Sequence, residues 1–146
     1  MRRLAKAVAL AAVLLLPGAA HAVEVSLGVG AGYWFENAAQ FDINARVDWR
    51  LAKYFSLGVR PGVVMNVRSG MQFGIPVNAV ARFHIPHINF DIAGGLYILF
   101  ADPVATFRGH IAAGFSVPVA KHISLGGEAG YLWNGAQLLF RFYYTF

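Results

Sequence analysis

The sequence predicts an all-β protein, an eight-stranded antiparallel up-and-down transmembrane β-barrel. Three observations carry this. Residues after about position 22 fall into eight segments in which large apolar side chains recur at every second position, the side-chain period of a strand. One face of every segment is uncharged while the other holds charge in every segment. The rings on the uncharged face gather towards the strand ends, with Val, Leu, Ile and Ala between them, as expected of a barrel surrounded by lipid.

Residues 1–22 are expected to be a secretory signal peptide and 23–146 the barrel domain. Arg2, Arg3 and Lys6 precede an apolar run from Ala7 to Leu16, then Pro17-Gly18 and Ala20-His21-Ala22. That run is too short to span a bilayer and has the flanks of an export signal. Cleavage after Ala22 would leave 124 residues, enough for one domain. The formal charge of +5 would fall to nine basic against seven acidic side chains. No basic cluster interleaved with aromatics remains to suggest a nucleic-acid partner. Cysteine is absent, so no disulfide contributes to stability.

The segments are Val23–Phe35, Phe41–Leu51, Phe55–Val67, Met71–His84, His87–Phe100, Phe107–Val119, Ile123–Trp133 and Gln137–Phe146. The first presents Val23, Val25, Leu27 and Val29 on one side; the second Phe41, Ile43, Val47 and Trp49; the third Phe55, Leu57, Val59 and Val63. Phe73, Ile75 and Val77 continue the pattern, followed by Phe90, Ile92 and Ile98, then Phe107, Ile111 and Phe115, then Leu125 and Tyr131. The last segment gives Leu138, Phe140, Phe142, Tyr144 and Phe146. None of the 52 positions on this face is charged, where chance would place roughly seven.

A soluble sandwich or lipocalin-like barrel would also alternate, with its apolar face turned inward. Aromatic placement decides against it. One rim collects Tyr33, Phe35, Phe41, Phe73, Phe100, Phe107, Tyr131 and Trp133; the other collects Trp49, Phe55, Phe83, Phe90, Tyr144 and Phe146. About eleven residues at ~3.3 Å each, tilted by ~40°, cover on the order of 28 Å, the height of a hydrocarbon core. An even strand number returns the chain to its starting side, and closure satisfies the backbone groups that lipid cannot.

The export signal, the eight strands and the aromatic terminal strand with Phe140, Phe142, Tyr144 and Phe146 resemble the small OmpA/OmpX-type barrels of bacterial outer membranes. The resemblance covers the whole chain after the signal. It implies an outer-membrane location with both termini periplasmic, a monomer, lipid as the surrounding partner, and an assembly machinery that reads the terminal strand. Members that capture partners do so with long outer loops, whereas the connections here, about Glu36–Gln40, Arg68–Gly70, Ala101–Thr106 and Asn134–Ala136, are short. Adhesion through loops is therefore not expected.

The inward face carries the candidate functional residues: Glu24, Asp42, Arg46, Asp48, Arg50, Arg60, Arg82, Asp91, Arg108, Glu128 and Arg141. Six arginines against five acids nearly balance, and an eight-stranded barrel is just wide enough for side chains to fill. The same face carries Gly28, Gly30, Gly32, Gly58, Gly62, Gly74, Gly95, Gly114, Gly126 and Gly130, which could instead leave a narrow wet passage. Short hairpin registers could also set large beside small, with Gly30 beside Arg46, Gly28 and Gly58 beside Asp48, and Gly130 beside Arg141, which favours filling. Pairing of Trp133 with Leu138 would bring Glu128 and Arg141 together as diagonal neighbours.

No cofactor is expected. His84, His87 and His122 share one rim but lack a thiolate or a carboxylate at a defined spacing, so they read as boundary residues and not as metal ligands. His110 reads as a packed polar residue. Inward Ser26, Ser56, Ser116 and Ser124 lie towards the terminal side and His110 towards the other, and Ser69 has no histidine in its turn, so no enzyme is expected. The reading is a structural protein of the envelope, with a narrow passive pore and a lipid-modifying hydrolase as alternatives.

Overall fold

The computed structural model describes residues 22–35, 38–67, 70–101, 104–132 and 135–146. The export-signal reading of residues 1–21, Trp133, Ser69, and residues 36–37, 68–69, 102–103 and 134 of the connections Glu36–Gln40, Arg68–Gly70, Ala101–Thr106 and Asn134–Ala136 lie outside them. Eight strands follow in order: β1 (Val23–Trp34), β2 (Ala38–Ala52), β3 (Phe55–Val67), β4 (Met71–Ile85), β5 (Ile88–Ala101), β6 (Val104–Ala120), β7 (Ile123–Leu132) and β8 (Gly135–Thr145). Each pairs antiparallel with its neighbours in sequence, and β8 returns to β1 to close the barrel. The start of β1 and the residue that follows β8 meet at one end of the barrel, where Phe146 N–H donates to the Val25 carbonyl at 3.0 Å. This is called the terminal end below, and the opposite one the far end.

Strand bounds differ from the sequence reading mainly at the far end. β2 begins at Ala38 and β6 at Val104, each three residues earlier than expected, because ladder pairing runs on past the last obvious alternation. Conversely, His87 is not the start of a strand. It follows Pro86 in a two-residue turn with φ 71°, a conformation that Pro at the preceding position favours.

Burial follows parity through the barrel. Val29, Ile43, Val63, Val77, Ile92, Ile111 and Phe140 are exposed at mid-strand, while Asp42, Arg46, Arg60, Asp91, Glu128 and Arg141 are buried. Tyr33, Phe41, Phe73, Phe100, Phe107 and Tyr131 ring the far end of the outer surface, and Trp49, Phe83, Phe90, Tyr144 and Phe146 the terminal end. An apolar exterior over a charged interior, with every backbone ladder closed, is an arrangement whose solvent is lipid.

The register corrects several expected neighbours. Leu138 pairs with Ala129, not Trp133, a slip of four residues that leaves the in-out alternation intact. Gly30 stands opposite Asp42, and Gly28 opposite Asn44, not beside Arg46 and Asp48. Arg141 faces Gly126, not Gly130. Gly58 beside Asp48 is as expected.

Candidate functional site in the barrel lumen

The inward face divides along the axis. Towards the far end lies an apolar layer of Trp34, Ala38, Val64, Tyr97, Leu99 and Leu132. Sequence reasoning passed over these side chains because it sorted the inward face by charge; the signal was present, since parity alone assigns Trp34, Tyr97, Leu99 and Leu132 to the interior. Below this layer sit eight buried charges, Asp42, Arg46, Asp48, Arg60, Arg82, Asp91, Glu128 and Arg141.

These form two neutral quartets. In the first, Arg60 Nη1 donates to Glu128 Oε2 at 2.6 Å, Arg141 Nη2 donates to Glu128 Oε1 at 3.0 Å, and Arg141 Nη1 also donates to Asp42. In the second, Arg82 holds Asp91 through both carboxylate oxygens at 2.7 and 2.8 Å, while Arg46 reaches Asp48 at 2.7 Å and Asp91 at 3.2 Å. Tyr143 joins them: its ring lies 4.6 Å below the Arg46 guanidinium, and its hydroxyl accepts from Arg60 at 3.3 Å. Opposite charge, joined by hydrogen bonding at every ion but Asp48, offsets the heavy desolvation cost of burial.

Local sequence explains how such large groups fit. Arg141 is flanked by Gly30 on β1 and Gly126 on β7, which lets it reach Asp42 across the first glycine. A Cβ on Gly30 would run into Asp42 Oδ1, and one on Gly58 into Asp48 Oδ1. The Gly28 site is covered by the Tyr143 ring, whose Cε1 would stand 2.7 Å from an added Cβ, and the Gly74 site by Leu99, also at 2.7 Å. The glycines thus make room that neighbouring side chains occupy.

The remaining charged candidates lie nearer the ends. Glu24 is half-exposed, 3.7 Å from Arg82. Arg108 packs 5.3 Å over the Trp34 ring. Arg50 is exposed and lies against His84. His110 is buried as a packed group: Nδ1 donates to Asn78 Oδ1 at 2.9 Å, Nε2 accepts from Gln137 Nε2 at 2.5 Å, and its ring lies 4.8 Å from Tyr97.

The three terminal-end histidines do not converge. His122 Nδ1 donates to the Thr145 carbonyl at 2.8 Å, and His87 is exposed in its turn. His84 turns inward between Ser56 and Asn89, with Ser56 Oγ 2.6 Å from Nε2 and Asn89 Oδ1 2.9 Å from Nδ1. The inward serines, weighed against the distant His110, thus have a nearer histidine in His84. The sequence comparison had set the serines against His110 alone, although His84 on β4 pairs directly with Asn89 on β5. Among the described residues no group of three or more His, Cys, Asp or Glu is placed to hold a metal.

Solved structures share this architecture. A de novo designed transmembrane β-barrel superposes with a TM-score of 0.66 at 17% identity, over 84% of this chain and 95% of that one. Ail of Yersinia pestis in a phospholipid nanodisc gives 0.61 at 10% identity, over 86% and 99%. The N-terminal β-barrel domain of Pseudomonas aeruginosa OprF gives 0.60 at 11% identity, over 84% and 97%. No family model and no curated protein sequence matches the chain. At these identities the likeness is one of fold.

Proposed function

We propose that the chain is a monomeric structural protein of the bacterial outer membrane, with both termini periplasmic and a lumen closed to ions. Its role in this reading is mechanical support of the envelope, its standing partner is membrane lipid, and the strand ending in Phe146 is what the assembly machinery engages. The observation that carries the reading is the interior itself, in which two neutral charge quartets lie beneath an apolar layer of Trp34, Val64, Tyr97, Leu99 and Leu132. A hydrated ion would have to break those pairs and part that layer. Short connections, including the two-residue turn at Pro86-His87, offer little surface for capturing a partner.

A narrow passage is the second reading, favoured by Ser26, Gln40, Asn44 and Asn66, whose buried polar atoms on β1, β2 and β3 have no protein partner and are of the kind that hold ordered water. Planar-bilayer recording of the purified protein separates the two. The closed lumen predicts no discrete opening steps above the bare-membrane background, and reproducible unitary steps would refute it.

A further inference from the structure

The cluster at the terminal mouth is chemistry that the closed-lumen reading leaves unused. Four consecutive strands bring it together: Arg50 from β2, Ser56 from β3, His84 from β4 and Asn89 from β5. Arg50 pairs with Ser56 across the β2–β3 ladder and His84 with Asn89 across β4–β5. The His84 backbone N–H donates to the Tyr54 carbonyl at 2.9 Å, fixing the end of β4 against the β2–β3 turn. The carbonyl oxygen of Asn89 can only accept, so the proton is on His84 Nδ1. Nε2 is then left with its lone pair towards the Ser56 hydroxyl, 2.6 Å away. A hydroxyl, an imidazole in the proton-accepting tautomer and a third group fixing that tautomer are the parts of a nucleophilic relay.

We infer that Ser56, His84 and Asn89 form a hydrolytic relay that cleaves short-chain carboxylic esters at the terminal mouth of the barrel. Ser56 is the nucleophile, His84 the base and Asn89 the positioning residue. As Oγ bonds to the ester carbonyl carbon, the hydroxyl proton passes to Nε2 and the carbonyl electron pair moves onto oxygen. The adjacent Arg50 guanidinium, with Nη2 at 3.3 and 3.4 Å from the two ring nitrogens, supplies the positive charge that this oxyanion meets. Collapse breaks the bond to the alcohol oxygen, which departs with the proton from Nε2. Water then attacks the acyl-Ser56, His84 takes the water's proton, and Oγ leaves reprotonated, so one ester and one water give one carboxylic acid and one alcohol. The substrate class follows from placement. Ser56 faces the lumen and is only 2% exposed, while His84 beside it is half-buried and Arg50 exposed. So enclosed a hydroxyl suits a slim soluble acyl group and not a bilayer lipid.

The test uses the folded protein in detergent with p-nitrophenyl acetate and, separately, a fluorophosphonate followed by peptide mass spectrometry. Hydrolysis above buffer and phosphonylation at Ser56 are expected, both lost by about 100-fold or more in Ser56→Ala and kept in Ser124→Ala. Asn89→Ala should lower kcat about 10- to 100-fold with KM unchanged, and Asn89→Asp should restore it, a split that a merely structural hydrogen bond does not produce. The gel mobility of heated and unheated samples checks that each variant is folded. A folded wild type that neither turns over nor is labelled overturns the relay, as does activity surviving Ser56→Ala. The outcome is independent of conductance: a barrel that conducts yet is acylated at Ser56 refutes only the closed lumen.

Discussion

Glu128 is the carboxylate that Arg60 and Arg141 share, so replacing it with Gln exposes the first quartet to its own imbalance. Arg141 keeps Asp42, but Arg60 keeps only the Tyr143 hydroxyl from its described hydrogen bonds, and the buried group becomes a net cation. Unit charges about 4 Å apart in a medium of effective dielectric ~20 interact by about 4 kcal/mol, and breaking a buried pair costs about 3–5 kcal/mol. Glu128→Gln is therefore expected to destabilise the barrel by about 3–5 kcal/mol. Arg141→Met, which leaves Glu128 with Arg60 and takes from Asp42 the guanidinium it holds, should cost a similar amount. Made together they leave Arg60 and Asp42, a neutral remnant, so the double variant should be more stable than either single one. Denaturant unfolding in micelles or vesicles, followed by tryptophan fluorescence and by the gel mobility of the folded form, gives the cycle. Costs that add within about 0.5 kcal/mol would mean no coupling. Solvent would then reach the pair, and the filled interior would be wrong.

Two further outcomes test the surfaces on either side of the wall. Val63, 55% exposed near the middle of β3, should lose about 2–4 kcal/mol on replacement by Arg and almost nothing by Leu, measured by the same unfolding assay. The inward Asn44→Arg, which alternation alone would make mild, is instead expected to be as damaging as Val63→Arg. Asn44 is 4% exposed, and a Cβ on Gly62 would already stand 3.0 Å from its own Cβ, so an arginine there has no room. Gly58→Ala drives a methyl against Asp48 and should cost about 1–3 kcal/mol. Gly109→Ala meets nothing within 4 Å and should be neutral or stabilising by under about 1 kcal/mol.

The architecture was legible in the sequence because lipid imposes its demand at every residue. A strand that turned one charged side chain outward would fail, so the alternation at Ile43, Val63 and Ile92 against Asp42, Arg60 and Asp91 carries the fold by itself. The interior was legible only in kind. The inward charges and their near-balance can be counted, but the pairing depends on which residues stand level across the lumen. Arg141 finds Asp42 across 99 positions of sequence, and Arg60 finds Glu128 across 68. No local pattern encodes that. The Ser56–His84–Asn89 contacts were hidden for a related reason, since they join three strands whose levels are set by turns that periodicity does not resolve.

The same limitation suggests what the quartets contribute to the fold. A side-chain period of two cannot tell the correct register from one displaced by an even number of residues, and a β7–β8 pairing slipped by four looks equally acceptable on alternation alone. Something inside the barrel must penalise it. Sliding β8 by two residues towards the terminal end would set Arg141 opposite Gly28 and Ser124 and carry it away from both Asp42 and Glu128. It would strand one cation away from its carboxylates at a cost of about 3–5 kcal/mol. The backbone ladder would lose far less, because its hydrogen bonds re-form two residues along. The lumenal charges are thus placed where they discriminate between closures of the barrel that the lipid-facing surface treats alike. That role predicts a distinct behaviour for the paired variant Glu128→Gln/Arg141→Met. Restored near to wild-type stability, it should still refold into more than one closed form, seen as split folded bands or doubled amide resonances. A single sharp folded species would show that the turns alone set the register.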